Sequence, residues 1–354
     1  MKTCLAMMVK NESQYIKRCL DSVKPLIDMW SIVDTGSTDG TQDVIRKEMA
    51  GVPGQVWERP WVNWNHNRME VIELAKKSGA DFLLLIDADQ KAAVNGKWEL
   101  NLDCMYWCIV KNGAFEMKKP FILSSKHKWH YVGATHEYLT CDPDIPTHVT
   151  LPVILEESGR TKTKEYFLKD AEILEAELFK DPDNARNMFY LAQSYRDAGD
   201  HATALEHYQR RINMGGWREE VWYSLYQVGI LKMALGQPAD QVIMSFIHAY
   251  EYNPHRAESL GVLARYAREK NMFNLAYLTA SRGLQITVPD DKLFMDLSQY
   301  EWRLKDEYAL AAYYTGRYTE AANAWASLLN GKKLPVNEID RVKKNWDFAK
   351  EKLK

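Results

Sequence analysis

The sequence predicts an α/β domain built on a mostly parallel sheet, followed by an all-α domain of helical repeats. Two successive rhythms predict it. Over the first 150 or so residues, short β-rich runs alternate with helical segments, and from about Lys164 continuous helix pairs take over. The length of 354 residues allows each part its own core. The expected division is 1–155 for the α/β domain, 156–184 for a basic linker and connecting helix, and 185–354 for the repeats with a capping helix.

In chain order, TCLAMMV (3–9) reads as a first strand, which accounts for the apolar N-terminus without a signal peptide, since no small-residue cleavage site follows. SQYIKRCLDSVKPL has helical spacing. MWSIVDTG is a second strand and TQDVIRKEM a second helix. After a Trp-rich loop, RMEVIELAKKSG gives a helix and DFLLLIDAD a strand. Residues 101–155 read as more irregular β structure. In parallel sheets of this kind, ligands sit beyond the carboxyl ends of the strands. That rim would carry Lys10–Glu12, Asp34–Thr41 and Asp87–Asp89.

In the second part, Leu191, Ala192 and Tyr195 fall on one helix, Gly199 at a turn, and Ala204 and Tyr208 on the next. Leu263, Ala264, Ala276 and Ala280 repeat the pattern, as do Gly316, Ala321 and Trp325, with VWYSLYQVGILKMALGQP to Pro254 between them. About four units near the expected period make a tetratricopeptide-like solenoid. Residues 289–306 interrupt the phase, and VNEIDRVKKNWDFAKEKL would cap the stack.

Composition excludes several classes. No apolar run approaches the roughly 20 residues of a membrane-spanning helix. Residues 1–150 hold 18 Lys+Arg against 19 Asp+Glu, leaving 28 against 29, so neither part has the basic excess of a nucleic-acid binder. Five cysteines in loose spacing argue against a disulfide framework and for a reducing compartment, the cytoplasm, or a host's cytoplasm if the chain is viral. Cys104 and Cys108 lack the second pair a structural zinc site needs and read as packing residues.

The chemistry concentrates in LLLIDADQ (83–90). Aspartates often end strands, so D-x-D alone is a weak signal. A fully apolar strand, however, predicts a central position whose next residues emerge at the ligand rim. Two carboxylates separated by one residue can address a ribose and a hard cation. Mg²⁺ and Mn²⁺ bind through one or two carboxylates while bridging substrate phosphates, which points to a nucleotide diphosphate. SIVDTGSTDGT (31–41) offers Gly36 and Gly40 for a phosphate loop, although its spacing matches neither the P-loop nor the Rossmann fingerprint. Asp34 would accept a hydrogen bond from a base or ribose, and Asp39 and Thr41 would cap the next helix.

MMVKNES, IVDTGSTDGT and LLLIDADQ, in this order and spacing, resemble the first signature segments of family 2 glycosyltransferases with the GT-A fold, a Rossmann-like, mostly parallel sheet. The resemblance covers residues 1 to about 140. The repeat tail resembles a bacterial and viral (phage) subgroup of that family. It implies inverting transfer of a sugar, with UDP-glucose the expected donor and Mn²⁺ or Mg²⁺ the cation. Asp34 would contact the uracil, with Val9, Lys10, Asn11, Glu12 and Gly36 beside the base. Arg68 in NHNR would face the nucleotide, Asp87 and Ala88 the ribose, and Asp89 the metal. In KWHYVGATHEYL, His136 would serve the metal or diphosphate and Glu137 the general base, provided the backbone turns near Gly133, since neighbours on a strand face opposite sides. Asp103 is the fallback base. Arg160, Lys162 and Lys164 would form a cationic lid over the diphosphate. Trp64 and Trp129 are candidates for acceptor contact.

These expectations define a UDP-sugar-dependent transferase whose large acceptor lies along the concave repeat face: a protein or peptide, a glycan, or a hydroxymethylated DNA base in a viral setting. The balanced charge disfavours nucleic acid. The alternative from another class is an inactive scaffold that presents the repeats to a partner. Against it stand two rim carboxylates whose mutual repulsion costs stability without a cation. A nucleotidyltransferase would place a glycine-rich basic loop after the first strand, where VKNES has no glycine.

Overall fold

The computed structural model describes residues 1–142, 147–157 and 162–354. It divides into two compact units, Met1–Pro182 and Asp183–Lys354.

The first unit runs β1 (Thr3–Val9), α1 (Ile16–Val23), β2 (Met29–Asp34), α2 (Thr41–Glu48), β3 (Gly54–Glu58), α3 (Trp64–Lys76), β4 (Phe82–Leu85) and β5 (Gln90–Val94). It continues with β6 (Cys104–Asn112), β7 (Phe115–Ser124), β8 (Lys128–Val132), β9 (Tyr138–Asp142), β10 (Thr147–Glu157) and α4 (Lys164–Lys180). The main sheet has the order β3-β2-β1-β4-β7-β6-β10-β5. Its first four strands are parallel, with Val9 opposite Asp34 and Ala6 opposite Leu85. Strand β7 then joins β4 antiparallel.

Central strands buried on both faces need apolar residues at every position. β1 and β2 meet that demand, with Leu5, Met7, Val9 and Ile32 in one core layer and Cys4, Ala6 and Val33 in the other. Helix α1 covers the first layer through Ile16, Cys19, Leu20 and Val23, at the spacing of one helical face. Helix α3 covers the second layer through Val71, Ile72, Leu74 and Ala75.

Two strands escape the sequence pattern. β3 (GQVWE) is an edge strand with few apolar residues, and β5 follows the D-x-D turn directly. The region expected to be irregular contains the long strands β6, β7 and β10, while β8 and β9 form a separate hairpin. All five cysteines are free.

The second unit pairs α5 (Ala185–Asp197) with α6 (His201–Met214), α7 (Arg218–Ala234) with α8 (Ala239–Tyr252), and α9 (Glu258–Glu269) with α10 (Phe273–Gly283). A π-helical turn, Gln299–Arg303, leads into α11 (Leu304–Tyr314), which pairs with α12 (Tyr318–Asn330), and α13 (Val336–Glu351) ends the stack. Small residues let the pairs approach: Ala192 and Ala204 are buried in the first, Ala264 and Ala280 in the third. The phase break expected at 289–306 is the extended approach to the π-helical turn. Among the described residues, no helix is long and apolar enough to cross a membrane.

Candidate functional site

The parallel register brings the ends of β1, β2 and β4 to one edge of the sheet. The loops after β1 and β2 lace together there. Thr35 donates to the Val9 carbonyl through both its amide and its hydroxyl. The Asn11 amide donates to Ser37 Oγ at 2.8 Å, and the Thr38 amide returns to Asn11 Oδ1 at 2.8 Å. Asn11 holds a left-handed backbone, φ 55°, which asparagine tolerates. The Glu12 amide donates to Thr41 Oγ1, and Asp39 accepts from Ser13 and Thr41. Burial opposes ionisation of Asp39, but the hydrogen bonds from Thr41 and Ser13 outweigh it and hold its carboxyl below the usual range. Asp39 thus satisfies the first amide of α2, while Thr41 spends its hydroxyl bridging the two loops.

Inside this lacing sits Asp34. Its Oδ1 accepts the amides of Gly36 and Ser37 at 2.8 and 2.7 Å. Gly36 reaches that position with φ 102°, a conformation side-chain-bearing residues rarely adopt. The glycine amide is thereby spent on Asp34, and the loop frames this carboxylate. Asp34 Oδ2 is buried with no hydrogen-bond partner among the described residues. A buried acceptor without a donor is costly, about 1–3 kcal/mol. Lys10 is exposed on the same rim.

The D-x-D turn is fixed through its backbone. Arg18 donates to the Asp89 carbonyl at 2.8 Å, and the Asp87 amide donates to Gln90 Oε1 at 3.3 Å. Ala88 is buried between the two acids. The carboxylates themselves differ. Asp87 Oδ2 accepts from Lys119 Nζ at 2.8 Å, and Oδ1 lies 3.7 Å from Arg68 Nη2. Desolvation opposes ionisation of Asp87, yet Lys119 and Arg68 outweigh it and hold the carboxyl well below the usual range. The Asp89 carboxylate has no hydrogen bond or ion pair among the described residues. That is the donor set a hard cation takes when substrate phosphates supply its remaining ligands, so the residues present fit a Mg²⁺- or Mn²⁺-diphosphate.

Arg68 joins this turn to the HE loop. Its Nε pairs with Glu137, and its guanidinium lies 5.8 Å from the Trp64 ring and 5.7 Å from Tyr131. The surrounding NHNR residues position it. Asn63 caps α3 by accepting the His66 amide, Asn65 donates to the Tyr131 carbonyl, and Asn67 holds Pro60 and Val62 of the Trp-rich loop. The backbone does turn at the HE motif: Gly133 has φ 113° and His136 φ 50°, in the loop between β8 and β9. Glu137 therefore faces Arg68, whereas His136 Nε2 lies 3.3 Å from Asp170 of α4. Thr135 donates to the same aspartate at 3.4 Å.

Several expected roles change. His136 is engaged with Asp170, and among the described residues no three acids, histidines or cysteines gather around a cation site. Trp129 is a core residue, 3% exposed, whose indole donates to the Ser124 carbonyl at 2.7 Å. It anchors the hairpin and does not meet an acceptor. Asp103 pairs with Lys126 beside the end of β7 that meets the start of β4, at the opposite edge from Asp87. Of the basic lid, Arg160 lies outside the described residues. Lys162 packs 4.6 Å from the Tyr166 ring and adds to the positive field on Asp87, and Lys164 is the exposed first residue of α4.

Lys119, Gln90 and Asp170 are site residues that the sequence reading missed. The signal for Lys119 was the register of a neighbour: β7 pairs Ile122 with Leu84, and running three residues further brings Lys119 opposite Asp87.

Residues 4–96 match the family model described as glycosyl transferase family 2. The SPbeta prophage-derived glycosyltransferase SunS of Bacillus subtilis (strain 168) is 23% identical over 231 residues, 60% of this chain and 53% of that protein. Glycosyltransferase SunS of Bacillus phage SPbeta matches with the same figures. The chain therefore spans about half the length of the curated relatives it matches. The C-terminal part of a TPR repeat-containing protein from Cytophaga hutchinsonii superposes with a TM-score of 0.43 at 16% identity, over 53% of this chain and 66% of that one. The repeat architecture itself rests on the helix pairs described above.

Proposed function

With residues 4–96 a family 2 glycosyltransferase domain, we propose that the protein is a metal-dependent inverting glycosyltransferase that moves a sugar, glucose, from UDP-glucose to a hydroxyl of a large acceptor. The observation that carries this reading is the asymmetry of the D-x-D turn: Asp87 is neutralised by Lys119 and Arg68, while Asp89, at the same edge as Asp34, presents a carboxylate unpaired among the described residues.

In this reading, Asp34 Oδ2 accepts the N–H of the uracil, which supplies its missing donor. Val9, Lys10, Asn11, Glu12 and Gly36 frame the base, and Asp87 and Ala88 meet the ribose. The cation, held by Asp89, would neutralise charge on the departing diphosphate. Arg160, Lys162 and Lys164 would add a basic arm to that compensation, a reading supported by the positive field that Lys162 contributes at Asp87. Glu137 takes the acceptor's proton once Arg68 turns toward the nucleotide. Trp64, beside Arg68, offers an aromatic face to the acceptor sugar or chain. The near-balance of charge, 46 Lys+Arg against 48 Asp+Glu, favours a macromolecular acceptor other than nucleic acid on the repeats.

The test is UDP release from a panel of UDP-sugars, with Mn²⁺ or with EDTA, by wild type and Asp89→Ala. Donor hydrolysis needs no acceptor. Metal-dependent release from UDP-glucose, reduced about 10³-fold in the variant, is expected, as for loss of several kcal/mol of charge stabilisation. No release from any donor, together with no UDP binding by calorimetry, would leave the scaffold reading in its place.

A further inference from the structure

The second unit contains a cavity of about 420 Å³, within the range of ligand sites. Its walls are single faces of α9, the π-helical turn with α11, and α13. Gly261, Arg265 and Arg268 follow one another at helical spacing on α9, as do Glu338, Arg341 and Asn345 on α13.

The charges in these walls do not cancel. Arg268 is committed to Glu307 through two bonds of 2.6 and 3.0 Å. Arg341 reaches Asp306 at 2.7 Å and Glu338 at 2.8 Å. All three carboxylates of the lining are thereby paired. Two guanidinium groups are left over. Among the described residues Arg265 Nε is buried without a hydrogen bond, and its ion pair with Glu269 spans 3.9 Å. Arg303 is exposed, lies 5.0 Å from the Trp302 ring, and has no ion pair among the described residues.

The backbone is also shaped for this cavity. Gln299 donates to Asp296 Oδ2 at 3.2 Å and sets its Oε1 over Gly261, where a Cβ would come within 2.2 Å of it. Glycine inside a helix costs about 1 kcal/mol relative to alanine, and here that cost preserves the close approach of an amide oxygen. The π-helical turn, a feature frequent at functional sites, lies at the same place.

We propose that this cavity docks an acidic peptide segment of the acceptor. A carboxylate of the peptide pairs with Arg265 and Arg303, a neighbouring apolar side chain rests on Trp302 and Leu310, and Gln299 Oε1 accepts a peptide N–H. The surplus is two guanidinium groups, enough for one peptide carboxylate and too few for the run of closely spaced phosphates on a nucleic acid. Calling the peptide the acceptor rests on the transferase reading, whereas the docking does not.

The test is fluorescence polarisation of the full chain with a short fluorescein-labelled peptide of alternating Glu, Leu and Ser, its Gln-for-Glu counterpart, and a single-stranded oligonucleotide. The Glu peptide should bind about tenfold more tightly than the Gln peptide, and Arg303→Ala should remove most of that difference. Arg303 is exposed, so its replacement leaves folding intact, and UDP affinity should not move. Arg265→Gln, checked by its melting curve, should act in the same direction. Equal affinity for the two peptides, no effect of Arg303→Ala, or Arg303-dependent binding of the oligonucleotide in preference to the peptide would each overturn the docking. Arg303-dependent peptide binding in a chain that hydrolyses no donor would overturn the acceptor assignment alone.

Discussion

Arg256 in the second unit and Asp89 in the first are both charged groups placed by secondary structure, and they differ in what they touch. The Arg256 side chain is fully buried, 3.8 Å from the Trp222 ring centroid, and donates to both Glu258 oxygens, to Asp291 and to the carbonyls of Leu293 and Phe294. Asp89 is held through its backbone carbonyl by Arg18, and its carboxylate has no hydrogen bond or ion pair among the described residues. A charge whose every donor is satisfied by its own chain serves the fold. One that the fold has positioned and left open is available to a ligand. Asp87 stands between these cases, answered by two cations yet still at the rim.

The largest expected effect comes from breaking the closed case. Arg256→Met leaves Glu258 buried without its cation, and urea denaturation should show a loss of about 3–5 kcal/mol in unfolding free energy. A loss below about 1 kcal/mol would mean that the network contributes little to the fold. The same variant should bind UDP as wild type does wherever it remains folded.

Next in size is Glu137→Gln. If Glu137 takes the acceptor proton, kcat should fall about 10²- to 10⁴-fold with little change in the donor KM. A raised donor KM with kcat unchanged would instead make Glu137 a positioning residue for Arg68, its partner in the structure.

The smallest effect sharpens the intermediate case. Lys119→Met removes the first cation of Asp87 and should weaken UDP affinity about tenfold or less, as expected for a partly exposed charged hydrogen bond. It should also shift the pH response. Asp87 has a depressed folded-state carboxyl, so its contribution is present above the unfolded value near about 3.9 and is lost as pH falls through the lower folded value. Without Lys119 that depression shrinks, and UDP binding should begin to fail at a higher pH than in wild type. Coincident acid limbs for the two proteins would show that Arg68 alone governs Asp87.

How much of this was legible in the sequence follows from the range of the interactions involved. β1 and β2 announced themselves because strands buried on both faces must be apolar throughout, and the repeats because their small residues recur. β3 and β5 did not, since an edge strand needs little apolar surface and β5 gains its place from a distant partner, β10. The order of three motifs pointed to Asp34, Asp87 and Asp89, and the NHNR stretch to Arg68. Lys119 looked like one of two ordinary lysines in MKKPF, because its meeting with Asp87 depends on an antiparallel register formed far along the chain. Asp170 was hidden for the same reason, lying on a helix with no motif of its own. Trp129 was misjudged because an aromatic residue beside polar ones has the same sequence signature in a core as at a ligand.

The central claim is that Asp89, and not Asp87, holds the cation that accompanies the nucleotide. Calorimetry of UDP binding with and without Mn²⁺, for wild type, Asp87→Asn and Asp89→Ala, tests it most directly. The account predicts that Mn²⁺ tightens UDP binding in wild type, that Asp87→Asn weakens binding but keeps the Mn²⁺-dependent gain, and that Asp89→Ala loses the gain. A full Mn²⁺-dependent gain in Asp89→Ala would contradict it.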